Sequence, residues 1–132
     1  MKKLIIFLIV INASSLIFKP PDKSNPQLYP VKSPLFNRVD SLKNAFDNAK
    51  HDTTRVNILL EFANEFYLNN PSKALEYSEK ALKLAKESNF KNGIAESLGW
   101  IAYLYTLQGS PDKALEYFLQ SLEIQKEIND KQ

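Results

Sequence analysis

The stretch Pro71–Asn92, PSKALEYSEKALKLAKESNFKN, returns 40 residues later as Pro111–Gln132, PDKALEYFLQSLEIQKEINDKQ. Eleven of the 22 aligned positions are identical, and the alignment needs no gap. Self-similarity at a fixed period of this length is typical of repeat proteins, in which each unit buries its apolar face against the next one. The sequence therefore predicts a repeat architecture.

Both copies have the pattern of a helix. Asn70-Pro71 and Ser110-Pro111 place a side chain that can cap a helix directly before a proline at the first helical position. Apolar and small residues then recur at spacings of three, four and seven, which puts them on one helical face. In the first copy this stripe consists of Leu75, Ser78, Leu82 and Ala85, with Ala74 and Ala81 beside it, and in the second of Leu115, Phe118, Leu122 and Gln125.

A second helix is predicted upstream of each copy. In the first unit its apolar residues are Val56, Leu59, Leu60, Phe62, Ala63, Phe66 and Tyr67. In the second unit they are Ile94, Leu98, Ile101, Ala102 and Tyr105, and Trp100 and Tyr103 lie on neighbouring faces. Asp52 or Thr53 is the expected cap of the first of these helices, and Asn92 that of the second. The connections Asn69-Asn70 and Gln108-Gly109-Ser110 are so short that each pair must form an antiparallel hairpin.

This arrangement resembles the tetratricopeptide repeat. That family keeps small residues where the two helices of a pair, A and B, approach each other, and here Ala63 with Ala74 and Ala102 with Ala114 match them. The turn residue Gly109 also matches, whereas the first turn is one residue shorter and the period is 40 instead of the usual 34. Long-period versions of the repeat occur in sensory regions of bacterial histidine kinases and in exported bacterial repeat proteins.

The resemblance implies an interaction module whose A helices line a concave groove that binds a protein or peptide. The groove residues that it implies are Asn57, Leu60, Asn64, Tyr67, Glu96, Tyr103 and Thr106. An amide at position 64 could bond a peptide backbone, and the two tyrosines would offer flat apolar area with a polar tip. The alternative is that these residues are merely exposed or packed. Leu60 and Trp100 stand where some chaperone-binding relatives need Lys and Asn, so capture of a C-terminal carboxylate is not expected.

One further helix is predicted over residues 35–50, where Leu35, Val39, Leu42, Phe46 and Ala49 follow a helical spacing. We expect it to cover the open end of the first repeat, as terminal repeats require. An isolated coiled-coil segment is the alternative. The predicted fold is thus all-α, with about five helices: the capping helix and two helix-hairpin repeats within 53–132 (53–90 and 92–130).

The N-terminus has the pattern of a secretory signal over residues 1–18. Lys2 and Lys3 precede an apolar run over residues 4–11, and Ala13 and Ser15 are small residues at the spacing that signal peptidase tolerates. We expect a protein that is exported, periplasmic or membrane-associated, the last only if this segment is uncleaved and acts as an anchor. Residues 19–34 contain five of the seven prolines and are predicted to be an extended linker.

Composition argues against catalysis and nucleic-acid binding. The formal charge of +2 equals the contribution of the two leader lysines, because the other 15 basic residues balance 15 acidic ones. The chain has no cysteine, and its single histidine, His51, stands in a polar connection, so neither a metal site nor a nucleophile with its base is expected. No cofactor motif occurs, and we predict a protein that is not an enzyme.

The last helix carries more apolar residues than the chain can cover, since Gln132 aligns with the residue before a new helix A. The sequence therefore predicts a piece of a longer protein or a homodimer that forms through the last helix, and a monomer with a partly apolar end is the remaining alternative. The expected function is an exported interaction module or scaffold, with the sensory N-terminal part of a bacterial signalling protein as its setting. A structural or oligomerisation element with no separate ligand is the alternative.

Overall fold

The computed structural model describes residues 35–131, with side-chain surroundings from Asn37 onward. These residues form five α-helices and no strand: α1 (Leu35–Asn48), α2 (Asp52–Phe66), α3 (Pro71–Glu87), α4 (Lys91–Leu107) and α5 (Pro111–Asn129). The predicted all-α fold of helix-hairpin repeats is therefore confirmed. The predicted signal (1–18) and linker (19–34) lie outside the described residues. In the part that is described, no helix is long and apolar enough to cross a membrane.

The helix starts agree only in part with the predicted caps. The Asn70 side chain accepts a hydrogen bond from the Lys73 backbone N–H at 3.1 Å, as expected of a cap. Ser110 holds the equivalent position before α5, but its side chain makes no capping bond. The proline that follows each of them fixes the backbone for helix entry.

The predicted caps of α2 and α4 are wrong, because both helices begin earlier than the sequence suggested. His51 is the N-cap residue of α2, and Asp52 already lies in the first turn, where its carboxylate pairs with Arg55 at 3.3 Å. Phe90 is the N-cap residue of α4, so Asn92 lies inside the helix. Neither N-cap side chain makes a capping hydrogen bond.

Two left-handed residues end helices. Asn89 after α3 has φ of 53° and Gly109 after α4 has φ of 71°. In both cases the next backbone N–H, that of Phe90 or Ser110, reaches a carbonyl five residues back at 2.9 Å, which closes the helix as a Schellman motif. This tight ending lets α4 start almost at once after α3.

The helices of each hairpin touch at small side chains. Ala63 on α2 and Ala74 on α3 are fully buried in one cluster, and Ala102 on α4 and Ala114 on α5 are fully buried in another. The hairpins α2–α3 and α4–α5 are joined because α3 also packs on α4 and α2 reaches α4. Each helix therefore packs on its neighbours in chain order, as a solenoid requires.

Both hairpins repeat the same aromatic stack beside the alanine contact. The rings of Phe66 and Tyr77 lie 5.8 Å apart and nearly parallel in the first hairpin. The rings of Tyr105 and Tyr117 lie 5.6 Å apart in the second. In each case the lysine two residues after the helix-opening proline lies over the helix-A ring, at 4.4 Å and 5.2 Å from its centroid. The sequence repeat is thus repeated in side-chain contacts.

The close approach of α4 to α2 depends on Gly93. A Cβ atom at this position would lie 2.9 Å from Val56 Cγ1 and closer still to the Phe90 ring. Both Gly93 and Val56 are buried, so no room exists for even one methyl group. The two hairpins are therefore held at a distance that only glycine permits.

Helix α1 lies against α2 at the other end of the array. Leu42 is buried together with Ile58 and Phe62, and Val39 and Phe46 pack against this cluster. Arg38 on α1 forms an ion pair with Glu65 on α2 at 2.6 Å. The helix thus lies on α2 much as α3 lies on α4, and its role as a terminal cap stays a prediction.

Candidate functional site

The A helices α2 and α4 carry the predicted groove residues, and the structure gives these residues very different exposures. Leu60, Asn64 and Tyr67 are only 4%, 8% and 7% exposed. Asn57 and Glu96 are exposed, and Tyr103 and Thr106 are half-buried. The first group offers little area to a partner, whereas the second lies within reach of one.

Aromatic side chains join the two A helices beneath this surface. The ring of Tyr67 lies 5.8 Å from Trp100 and 6.1 Å from Tyr103, and the last two lie 6.2 Å apart, all in tilted or edge-on arrangements. Trp100 is 3% exposed, so it belongs to the core. The predicted site residues Tyr67 and Tyr103 are therefore in contact, and the cluster lies beneath the candidate surface.

The hydroxyl groups of Thr106 and Tyr103 are limited in the polar interactions that they can offer to a partner. The Thr106 hydroxyl donates to the Ala102 carbonyl one turn earlier at 3.0 Å, so its proton is already engaged. Burial raises the pKa of the Tyr103 phenol above its ordinary value of 10.0. This tyrosine therefore remains a neutral phenol at physiological pH.

Two exposed leucines lie at the ends of the A helices, Leu68, which the resemblance also placed in the groove, and Leu107, which it did not. Leu68 is 62% exposed at the end of α2, and Leu107 is 50% exposed at the end of α4. The interval of 39 residues between them is the one that separates Ala63 from Ala102, so they occupy equivalent repeat positions. The sequence reasoning missed Leu107 because it did not carry this shift past the end of the helix.

The two A helices carry more acidic than basic residues. Their only cations are Arg55 and Lys91. Arg55 pairs with Asp52, and Lys91 pairs with Glu127 on α5 at 2.5 Å. Glu61 and Glu96 are exposed carboxylates of these helices that neither cation pairs with.

The charged form of the Glu96 carboxyl is disfavoured by its surroundings. Desolvation by neighbouring atoms raises the pKa of its carboxyl above the ordinary value of 4.5. The side chain is exposed, so solvent screens this effect and its contribution to stability is small.

The remaining titratable groups form a solvated surface. His51 is exposed. Glu76 pairs with Lys80 one turn later at 2.6 Å, and the hydrogen bond from Lys80 lowers the pKa of Glu76. Glu127 pairs instead across helices with Lys91, which lowers its pKa in the same way. Among the residues described here, no group of three or more potential ligands could hold a metal ion.

A separate cleft of about 400 Å³ lies between α1, α2 and α3. Its lining residues are Lys43, Phe46, Asp47, Leu59, Phe62, Tyr77 and Lys80. The floor is the stack of Phe62 on Tyr77, whose ring centroids lie 4.7 Å apart. Both lysines at its rim already pair with acidic neighbours on their own helices.

An array of helix hairpins with buried alanines where the two helices of each hairpin pack together is typical of helical-repeat proteins. The sequence profile of the tetratricopeptide repeat family matches residues 63–127, which run from the last turn of α2 into the last turn of α5. Residues 63–127 therefore belong to the tetratricopeptide repeat family, whose repeats generally mediate protein–protein interaction. Comparisons with curated proteins and with solved structures give no match.

The raised pKa of Glu96 makes stability depend on pH in a defined direction. The folded chain holds this proton more tightly than the unfolded one, so the stabilisation is complete below pH 4.5 and is lost as the pH rises through the raised pKa. We therefore expect Glu96→Gln to increase the free energy of unfolding at pH 7 by about 0.5 kcal/mol or less. Urea unfolding at pH 7 and pH 4 measures this change in the free energy of unfolding. The control is Glu123→Gln, which replaces an exposed carboxylate on α5. A loss of stability at pH 7 would contradict the assignment.

Proposed function

We propose that the chain binds a protein segment across the exposed face of α2 and α4. The observation that carries this proposal is the pair of equivalent exposed leucines, Leu68 and Leu107, on the face that also bears Glu96 and Tyr103. Exposed apolar area rimmed by polar groups is typical of interaction sites. Because the tetratricopeptide repeat binds proteins or peptides, this face is the natural contact surface.

The chemistry of the face defines the kind of segment that fits. Apolar side chains would cover Leu68 and Leu107, and Lys or Arg residues beside them would meet Glu61 and Glu96. Rim charges of this sort act mainly on association rate and on the choice of partner. The aromatic floor of Tyr67, Trp100 and Tyr103 keeps the two helices at a fixed spacing, so the surface is preformed.

Site-specific photo-cross-linking in cells that make the protein tests this proposal. A photoreactive residue at Tyr103 should give a discrete adduct with another protein, and Leu107→Glu should reduce the yield of that adduct about tenfold or more, because it places a charge in the apolar contact. The same residue at Lys83, an exposed position in the middle of α3, is the matched control.

Adducts of equal yield from Lys83 and Tyr103, or an adduct that Leu107→Glu leaves unchanged, would remove the groove as the binding surface. Absence of any adduct would favour the structural element that has no separate ligand.

We propose in addition that the chain is exported, with a sensory role in a bacterial signalling protein. What supports export is the order of Lys2 and Lys3, the apolar run over 4–11 and the small residues Ala13 and Ser15. The resemblance to long-period repeats of histidine-kinase sensory regions supports the sensory role.

Mass spectrometry of the protein recovered from its native cell tests the export proposal. We expect a mature N-terminus at Leu16, directly after the small residue Ser15, or an uncleaved chain in the membrane fraction. Replacing three apolar residues of the 4–11 run by Asp should retain the full-length chain in the soluble cytoplasmic fraction. A full-length chain that is cytoplasmic without any substitution would contradict export.

A further inference from the structure

The last helix, α5, bears a row of leucines. Leu115, Leu119 and Leu122 follow each other at spacings of four and three, so they lie along one side of the helix. Leu119 is 57% exposed, and the other two are half-buried. Within residues 35–131, α5 packs on α4 alone. Leu115 packs against the cluster of Ala102, Ala114 and Phe118, whereas no described helix covers Leu119.

The equivalent face of α3 shows what a following repeat helix would cover. The residues 40 positions earlier are Leu75, Glu79 and Leu82. Helix α4 packs on α3, and yet Glu79 remains exposed. A helix that followed α5 in the same way would therefore leave Leu119 in water, so the leucine indicates an occupant that extends further around α5.

The charges at the two ends of the row are self-complementary. Asp112 precedes Leu119 by seven residues and Lys126 follows it by seven, and seven residues are close to two full helical turns. Both charged side chains are exposed. If two copies of α5 lie antiparallel and cross at Leu119, each Asp112 meets the partner's Lys126, and Leu115 meets the partner's Leu122. A parallel pair would oppose like charges at both ends.

We propose that two copies of the chain pair through α5 in antiparallel orientation, with Leu119 at the two-fold axis. Both copies use the same surface in the contact, which is the defining property of a two-fold interface. The leucines supply the apolar contact, and the two Asp112–Lys126 pairs select the orientation. This contact leaves the groove face of α2 and α4 uncovered, so the inference stands independently of the proposed function.

Sedimentation equilibrium of the whole chain tests the pairing. We expect a concentration-dependent dimer, and Leu119→Glu should raise its dissociation constant about tenfold or more, because it places two like charges at the axis. The substitution restores the residue type found at Glu79, so it should fold, and circular dichroism checks that it does. Leu68→Glu, at an equally exposed leucine on another face, is the control and should leave the dimer intact.

A chain that is monomeric at every concentration would overturn the proposal. A dimer that persists in Leu119→Glu would overturn it as well, since the contact would then lie elsewhere, for instance in the apolar N-terminal run.

Disulfide trapping tests the orientation, and the chain suits it because it contains no cysteine. Leu119→Cys should cross-link two copies on mild oxidation. Asp112→Cys alone should not cross-link. In the antiparallel pair each residue 112 lies seven residues from the axis, on opposite sides, so the two copies are about 21 Å apart along the helix direction. A mixture of Asp112→Cys and Lys126→Cys chains should form the mixed disulfide. Efficient trapping by Asp112→Cys alone would show a parallel pair and overturn the antiparallel arrangement.

Discussion

The close contact of helices at alanine is the constraint on which the rest of the structure depends. Ala63 meets Ala74 in one hairpin and Ala102 meets Ala114 in the other, and all four are fully buried. Small side chains allow two helix axes to approach until their backbones nearly touch, and the larger neighbours then fill the spaces at the sides. The aromatic stacks of Phe66 on Tyr77 and Tyr105 on Tyr117 occupy those spaces in the two hairpins.

This contact determines where the functional surface lies. Once each helix B lies tightly against its helix A, the helices α2 and α4 come together at Gly93 and through Tyr67, Trp100 and Tyr103. Their remaining exposed strip carries Leu68, Leu107 and the acidic side chains. This candidate surface is thus a consequence of packing elsewhere, which explains why the residues beneath it are apolar.

Much of the fold could be predicted because its signals are local or periodic. The repeat period, the Asn70 cap and the alanine positions are all visible within one helix or one 40-residue shift. The early starts of α2 and α4 could not be predicted, since neither His51 nor Phe90 uses a side chain to cap its helix. The left-handed Asn89 that ends α3 gave no clear signal either, because asparagine takes that conformation only in particular contexts.

The candidate site was harder to predict than the fold. Burial of Leu60 and Asn64 depends on how far α2 rotates toward α4, and a helical pattern leaves that rotation open by tens of degrees. The Lys91–Glu127 pair joins residues that are 36 apart, a separation no short-range rule covers. The shift that relates Ala63 to Ala102 also relates Leu68 to Leu107, so the sequence was sufficient to predict Leu107.

Equilibrium urea unfolding of Ala102→Leu tests the central claim about helix contact most directly. Ala102 is fully buried where α4 meets α5, so a larger side chain must separate the helices. The account predicts a loss of about 1–3 kcal/mol in the free energy of unfolding, although leucine is itself a good helix former and adds apolar area. The substitution Lys83→Leu, on the exposed side of α3, should change it by about 0.5 kcal/mol or less. An Ala102→Leu chain as stable as the parent would contradict the account.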